Sequence, residues 1–105
     1  MGKRILLAGG YGVVGEQVAH ILRAQHPDIE ILIGGRQLAK AANLASDIGN
    51  ASGITMDVTA PHPLKDIDAL DAVGIFIHEI DDHVLHDAAE SGIAYMDITR
   101  GWDAL

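Results

Sequence analysis

The sequence predicts an α/β fold, in which a doubly wound parallel sheet lies between two layers of helices. Three observations lead to this prediction. Short apolar runs alternate with amphipathic segments along the chain, as in repeated βαβ units. Several of the strand-like runs are apolar without a break, as expected for strands buried on both faces. A glycine-rich turn follows the first of them, and right-handed crossovers then favour the strand order 3-2-1-4-5.

The first half of the chain contains two predicted β-α units. Lys3–Ala8 is the first strand, because its apolar stretch is continuous. The helix after it runs from Tyr11 or Gly12 to Gln25, and His26–Pro27 ends it because the residue before proline disfavours helix. Ile29–Ile33 is the second strand. The apolar residues at helical spacing, which should face the sheet, are Val14, Val18, Ile21 and Leu22.

Gly34-Gly35-Arg36 is predicted to turn the chain into a second helix, from Gln37 to Ile48. Gly49-Asn50 provides a left-handed end for this helix. Gly53–Asp57 is the third strand, which is short and near an edge of the sheet. The apolar stripe of the helix is predicted to be Leu38, Ala41, Ala45 and Ile48.

The second half is less regular at its start. Pro61 and Pro63 exclude a regular strand between Val58 and Leu70, where we expect at most a short helical turn. The remaining elements are a fourth strand over Ala72–Ile77, a helix over Asp81–Ser91 capped by Gly92, and a fifth strand over Ile93–Ile98. The predicted inward-facing residues of this helix are Val84, Leu85, Ala88 and Ala89.

Composition and charge limit the classes of function. The chain has 105 residues, enough for one domain over residues 1–105 but not for two. Its formal net charge of −8 argues against nucleic-acid and anionic-membrane partners, which require a basic face. It has no cysteine, so disulfides and thiolate chemistry are excluded. No apolar run approaches the roughly 18 residues of a membrane span, so we expect a cytoplasmic protein.

The glycine turn after the first predicted strand is the strongest functional signal. It reads G-x-G-x-x-G at Gly10, Gly12 and Gly15. Gly10 allows the tight turn, Gly12 lets the backbone approach a pyrophosphate, and Gly15 lets the next helix pack closely on the strand. The free N–H groups and positive dipole end of that helix would hold the phosphates. Because a strand precedes the motif and a helix follows it, we favour a dinucleotide site over an ordinary strand-to-helix turn.

The end of the second predicted strand indicates which dinucleotide binds. An NAD site has an acidic residue there, about 20 positions past the glycines. Here Gly34-Gly35 occupy that place and Arg36 follows them. A guanidinium binds a 2′-phosphate through paired, charge-assisted hydrogen bonds. We therefore favour NADP over NAD, with Gln37 and Lys40 assisting; the alternative is that Arg36 is a solvated residue at a helix start.

Six other residues, at four places in the predicted fold, have roles that the sequence leaves open. Asp57 would accept the adenine amino group, or cap the turn toward Pro61. Tyr11 would lie near the pyrophosphate, or cover the strand. His78 follows the fourth strand, where ligands bind in open α/β sheets, but no acid–base partner defines a catalytic role. The last group follows the fifth strand and would line the crevice or contact another domain: Asp97, Thr99 and Arg100.

The six histidines invite a metal hypothesis. His83 and His86 are spaced to share one helix face, with Asp82 and Asp87 nearby. The spacing specifies no third ligand, and acidic residues are also favourable at a helix start. We therefore assign no metal site.

The run from Gly9 to Gly15 (G-G-Y-G-V-V-G), followed by Gly35-Arg36, resembles the NADP-binding domain of the saccharopine dehydrogenase (saccharopine reductase-like) family. The segment His83–Thr99 is similar to that family's fifth unit, and the resemblance covers essentially the whole chain. The expected fold is therefore a Rossmann fold with three layers. Carried over by position, the resemblance implies that Gly10 to Gly15 bind the pyrophosphate, Arg36 the 2′-phosphate, and Asp57 and Val58 the adenine side. Gln37, beside Arg36, and His78, after the fourth strand, are added because of their places in the predicted fold. The full set of predicted cofactor contacts is Gly10, Tyr11, Gly12, Val13, Val14, Gly15, Gly35, Arg36, Gln37, Asp57, Val58 and His78.

The resemblance implies NADP-dependent oxidoreduction at a carbon–nitrogen bond of an amino-acid adduct. It also implies a C-terminal substrate domain that these residues lack, so the chain would be an N-terminal fragment that binds cofactor without turnover. The family usually has a loop of small residues after the fourth strand, whereas this chain has His78-Glu79 there.

One other kind of function remains open: a nucleotide-sensing regulatory domain without chemistry. An extended short-chain dehydrogenase is disfavoured, because the chain has no Tyr-x-x-x-Lys pair.

Trp102, near the end of the sequence, would pack against another element or mediate self-association. In the second case the chain would form a homodimer.

Overall fold

A computed structural model of the chain describes residues 3–9, 11–76 and 83–97. Within these residues five parallel strands form one sheet in the order β3-β2-β1-β4-β5, which confirms the predicted doubly wound fold. The strands are β1 (Arg4–Ala8), β2 (Glu30–Gly35), β3 (Ala51–Thr55), β4 (Ala72–Ile75) and β5 (Ala94–Asp97). The helices are α1 (Val13–Gln25), α2 (Leu38–Ile48) and α3 (His83–Ser91). None of these helices is long and apolar enough to cross a lipid bilayer.

The central strand β1 is buried on both faces. Leu6 and Leu7 point to opposite faces of the sheet and are almost wholly inaccessible. Leu7 belongs to one apolar cluster with residues of α1 and α2, and Leu6 belongs to another with α3 and the segment before β4. This arrangement gives the three layers that the sequence predicts.

The carboxyl ends of the strands come together at one edge of the sheet. Ala8 at the end of β1 is in register with Gly34 on β2 and with Ile75 on β4. Ile75 is in register with Asp97 on β5. We call this edge the carboxyl edge; it is where open α/β sheets bind their ligands.

Two of the strand ends that differ from the prediction lie beside the candidate site. β2 continues through Gly34 and Gly35, which were expected to form a turn, because both glycine carbonyls are paired: Gly9 N–H donates to Gly34 O at 2.7 Å and Met56 N–H to Gly35 O at 2.9 Å. β3 ends at Thr55, so Asp57 lies beyond the strand rather than closing it. Hydrogen bonds from the residues that directly follow the two neighbouring strands outweigh the low strand propensity of glycine here.

The predicted faces of α1 and α2 are partly wrong. α1 buries Gly15 and Ala19, whereas Val14 and Ile21 are 52% and 56% exposed. In α2, Ala41, Ala45 and Ile48 are buried as predicted, but Leu38 is exposed. Gly15 and Ala19 are small, so this face of α1 can lie close to the sheet. When this face packs on the sheet, the larger side chains of Val14 and Ile21 lie on the solvent side of the helix.

A buried carboxylate in α3 was missed by the sequence analysis, which placed Leu85 and Ala89 on the inward face. Leu85 is only half-buried and Ala89 is exposed, whereas Asp87 is 8% exposed. Its carboxylate accepts hydrogen bonds from Nδ1 of His62 at 3.0 Å and from the Leu64 N–H at 3.1 Å. Asp87 therefore ties the irregular segment before β4 to α3.

We expect Asp87→Asn to lower the free energy of unfolding by about 1–2 kcal/mol, because the amide forms weaker hydrogen bonds than the charged group. Burial raises the pKa of Asp87, but the hydrogen bonds from His62 and Leu64 outweigh it and hold the pKa below its usual 3.8. The charged group therefore stabilises the fold above pH 3.8, and this contribution is lost as the pH falls through the lowered pKa.

Urea denaturation of both proteins at neutral pH, and again below pH 3.8, measures this contribution. The difference between them should shrink at the lower pH. Asp66→Asn, at an exposed position of the same segment, is the control and should have little effect. A difference that is the same at both values of pH would contradict the assignment.

Candidate cofactor-binding site

The turn between β1 and α1 lies at the carboxyl edge. Gly9 is buried and has a φ of 78°, a conformation that favours glycine. The Gly12 N–H donates to Gly9 O at 3.1 Å and closes the turn, while Gly10 lies outside the described residues. The turn thus joins the first strand to the first helix, as the glycine motif requires.

The start of α1 is open toward this edge. Gly12 is the N-cap, and no side chain of the described residues caps the helix. Among residues 3–9, 11–76 and 83–97, a Cβ built on Gly12 would make one ordinary contact, with Gly9 O at 3.5 Å, so this part of the chain leaves room for a side chain there. The N–H groups of the first turn, from Val13 to Gly15, lack intrahelical acceptors and are suited to bind an anion.

Tyr11 joins the glycine turn to the end of β2. Its ring covers Gly35 so closely that a Cβ on Gly35 would lie 2.5 Å from the Tyr11 hydroxyl oxygen and overlap the ring. That oxygen also accepts a long hydrogen bond, 3.4 Å, from the Gln37 N–H. Gly35 is therefore required for this ring position, and Tyr11 forms part of the wall beside the start of α2.

Arg36 and Asp57 form an ion pair across the ends of β2 and β3. Nη2 of Arg36 lies 3.3 Å from Oδ1 of Asp57, and the two side chains are 71% and 50% exposed. The same carboxylate oxygen accepts hydrogen bonds from the Thr59 hydroxyl at 2.6 Å and from the Thr59 N–H at 2.9 Å. The bonds from Thr59, together with Arg36, hold the pKa of Asp57 below its usual value.

These groups surround a cavity of about 280 Å³. Its walls come from the glycine turn, the end of β2 and the segment after β3. The lining residues are Gly9, Tyr11, Gly35, Arg36, Gln37, Met56, Val58 and Thr59. The cavity therefore combines an apolar floor with the exposed guanidinium of Arg36 at its rim, where that group is paired with Asp57, an arrangement that offers hydrogen-bond donors to a sugar or base that carries an anionic group.

Several predicted contacts meet at this cavity. Tyr11, Gly35, Arg36, Gln37 and Val58 line it, and Asp57 contacts Arg36 at its rim. Val13 and Val14 lie in the first turn of α1 with their side chains exposed, and the buried Gly15 follows them.

Other predicted positions are not part of the cavity or fall outside the described residues. Lys40 lines a different surface pocket, beside Glu16 and Asp47. Met56 and Thr59 also line the cavity, although neither was predicted from the sequence. The Asp-x-Thr spacing, typical of a turn in which the aspartate side chain accepts a hydrogen bond from the backbone N–H two residues later, could have indicated Thr59. Two of the predicted cofactor contacts, Gly10 and His78, lie outside the described residues. Four other residues singled out in the sequence also lie outside them: Glu79, Thr99, Arg100 and Trp102.

A larger cleft, of about 500 Å³, lies between the segment that precedes β4 and α3. It contains the His62–Asp87 pair, and none of the predicted cofactor contacts that the structure describes lines it. Among the described residues, no three histidine, aspartate or glutamate side chains are grouped so that they could hold a metal ion.

Comparison with known proteins gives no match to a protein-family model. No curated protein sequence matches the chain significantly. Solved structures do match: a saccharopine dehydrogenase (L-Glu forming) from Saccharomyces cerevisiae is 31% identical and has a TM-score of 0.79, over 91% of this chain. The chain spans only 21% of that enzyme.

Two other oxidoreductases extend the comparison. A myo-inositol dehydrogenase from Corynebacterium glutamicum is 25% identical with a TM-score of 0.70, over 92% of this chain and 28% of its own. A yeast methylglyoxal/isovaleraldehyde reductase, solved with NADPH, shares the fold at 14% identity and a TM-score of 0.67, over 83% of this chain and 33% of its own.

Three findings agree with the resemblance seen in the sequence: the strand order, the glycine turn at the carboxyl edge, and the similarity to the saccharopine dehydrogenase from Saccharomyces cerevisiae. The chain is a saccharopine dehydrogenase-like Rossmann domain.

Proposed function

We propose that this chain is the NADP-binding domain of a saccharopine dehydrogenase-like oxidoreductase. The whole enzyme would exchange hydride between NADP(H) and an amino-acid-derived substrate. The 105 residues would bind the cofactor without turning over substrate, and the substrate domain would lie in the part of the longer protein that these residues do not include. The chain covers 21% of the yeast saccharopine dehydrogenase, which supports a separate substrate domain in the whole enzyme.

The pyrophosphate would bind at the start of α1. The open N-cap at Gly12 and the free N–H groups of the first turn offer hydrogen-bond donors to an anion. The bare backbone of the turn allows the phosphates to approach without meeting a side chain. No protein cation is needed for this contact, which suits a chain with a formal net charge of −8.

The adenosine half would lie in the cavity beside Tyr11, with the 2′-phosphate toward Arg36. The observation that carries the preference for NADP is the exposed Arg36 guanidinium directly after β2, where NAD-binding domains have a carboxylate. Gln37 adds an amide at the same corner. The bound nicotinamide supplies the hydride chemistry; we assign no catalytic residue in this chain.

Titration calorimetry with NADPH and with NADH tests this function directly. We expect NADPH to bind more tightly than NADH by about 1–3 kcal/mol, the range for hydrogen bonds to charged groups. Binding of NADPH should produce no turnover with amino-acid substrates in the chain of 105 residues. Equal affinities, or no binding of either dinucleotide, would contradict the proposal.

A further inference from the structure

The guanidinium of Arg36, which would recognise the 2′-phosphate, already forms an ion pair with the carboxylate of Asp57. Nη2 of Arg36 lies 3.3 Å from Oδ1 of Asp57, at the rim of the cavity described above. Thr59 donates to the same oxygen with its hydroxyl and its N–H, at 2.6 and 2.9 Å. The carboxylate is therefore held in place by Thr59 independently of Arg36.

A phosphate and this carboxylate cannot both use the guanidinium without cost. Arg36 has five N–H donors, so a 2′-phosphate either replaces Asp57 or binds beside it. In the first case the ion pair is lost. In the second case two anions lie next to one another, which is unfavourable. Both outcomes lower the affinity for a cofactor that carries the phosphate.

We propose that Asp57 is a specificity-determining residue that opposes the NADP preference of Arg36, because its carboxylate competes with the 2′-phosphate for the guanidinium. This inference rests on the proposed NADP-binding function. NADH has no 2′-phosphate, so it leaves the ion pair intact. Asp57 thus narrows the difference in affinity between the two cofactors.

This role differs from the adenine contact that the sequence suggested for Asp57. Adenine is common to NADPH and NADH, so loss of an adenine contact would weaken both cofactors alike. Loss of a competitor would strengthen NADPH and leave NADH unchanged. The ratio of the two dissociation constants therefore separates the two roles.

Asp57→Asn is the test variant, because the amide keeps an acceptor oxygen for Thr59 and removes the charge. We expect calorimetry to show that the variant binds NADPH about two- to tenfold more tightly than the native chain does. This gain in affinity corresponds to, or slightly exceeds, the free energy of an exposed ion pair. NADH should bind as before. Asp28→Asn is the matched control: it removes the same charge from an exposed turn before β2, at the opposite edge of the sheet, and should leave the ratio unchanged.

The same substitution in an Arg36→Ala background shows whether competition for the guanidinium is the cause. Without Arg36 only repulsion between Asp57 and the phosphate remains, so the gain in NADPH affinity should be smaller than in the native background. An equal gain in both backgrounds would overturn the proposal. So would a parallel change for NADPH and NADH, or a fall in the affinity for NADPH.

Failure of the proposed function has a different signature. If the native chain binds neither cofactor, or binds both equally with or without Arg36, NADP binding through Arg36 is wrong. If the native chain prefers NADPH and Arg36→Ala removes that preference, but Asp57→Asn leaves the ratio unchanged, only the competition is wrong. Circular dichroism and thermal unfolding establish that each variant is folded before its titration.

Discussion

Arg36→Ala is expected to reduce the affinity for NADPH to that for NADH or slightly below it, because the Asp57 carboxylate then faces the 2′-phosphate without a neighbouring cation. The cost should be about 1–3 kcal/mol, roughly five- to 150-fold in the dissociation constant, as for hydrogen bonds to a charged group. NADH should be unaffected, because it lacks the 2′-phosphate. Arg36 is well placed for this role, since its guanidinium is exposed at the rim of the cavity and directly follows β2.

Two further variants sharpen this prediction. Arg36→Lys keeps the charge but loses the planar pair of donors, so its preference for NADPH should be intermediate. Lys3→Ala removes one positive charge at the other edge of the sheet, before β1, and should leave the ratio of affinities unchanged. Calorimetric titration of the four proteins with both cofactors measures the effect. A preference for NADPH that survives in Arg36→Ala would show that another group recognises the phosphate.

Gly53→Ala is expected to lower the free energy of unfolding by about 3 kcal/mol or more, at the upper end of the cost of overpacking. A Cβ on Gly53 would lie 2.5 Å from the backbone nitrogen of Ala42 and 2.8 Å from the carbonyl carbon of Ala41. These are main-chain atoms of α2, so no side-chain rotation can relieve the overlap. The helix must move away from β3, and the apolar contacts beneath it are then loosened.

Gly74→Ala is the matched control for this substitution. Gly74 also lies within a strand, but its Cβ would make ordinary contacts, with the Phe76 ring at 3.4 Å and a Leu7 methyl group at 3.6 Å. Alanine is intrinsically better than glycine in a strand by about 0.5–1 kcal/mol, so stability should be unchanged or slightly higher. Urea denaturation of both variants measures the difference. Similar losses at the two positions would show that the close approach at Gly53 is not the cause.

The order of the strands follows from features that are local in the sequence. Strand-like runs alternating with amphipathic helices require parallel pairing, and the hand of the crossovers then leaves few topologies. The glycine turn after β1 identified the edge of the sheet that carries the candidate site. Arg36 was expected to follow the second strand, and it does, although β2 extends two glycines further than predicted.

The ends and faces of the elements were harder to predict. Gly34 and Gly35 look like turn residues in isolation, but hydrogen bonds from Gly9 and Met56 keep them in β2. The stripe of large apolar residues on α1 did not reveal that Gly15 and Ala19 form the buried face. In both cases packing against distant segments outweighs the local preference of the residue.

The sequence by itself determined the α/β fold, the dinucleotide-type turn and a cation after the second strand, because each depends on residues that are neighbours along the chain. Only the tertiary structure decided that Asp57 pairs with Arg36, that Tyr11 covers Gly35, and that Asp87 is buried against His62. These contacts join residues that lie far apart in the chain. Sequence periodicity has no information about them, because the distance between two side chains on different elements depends on how those elements pack.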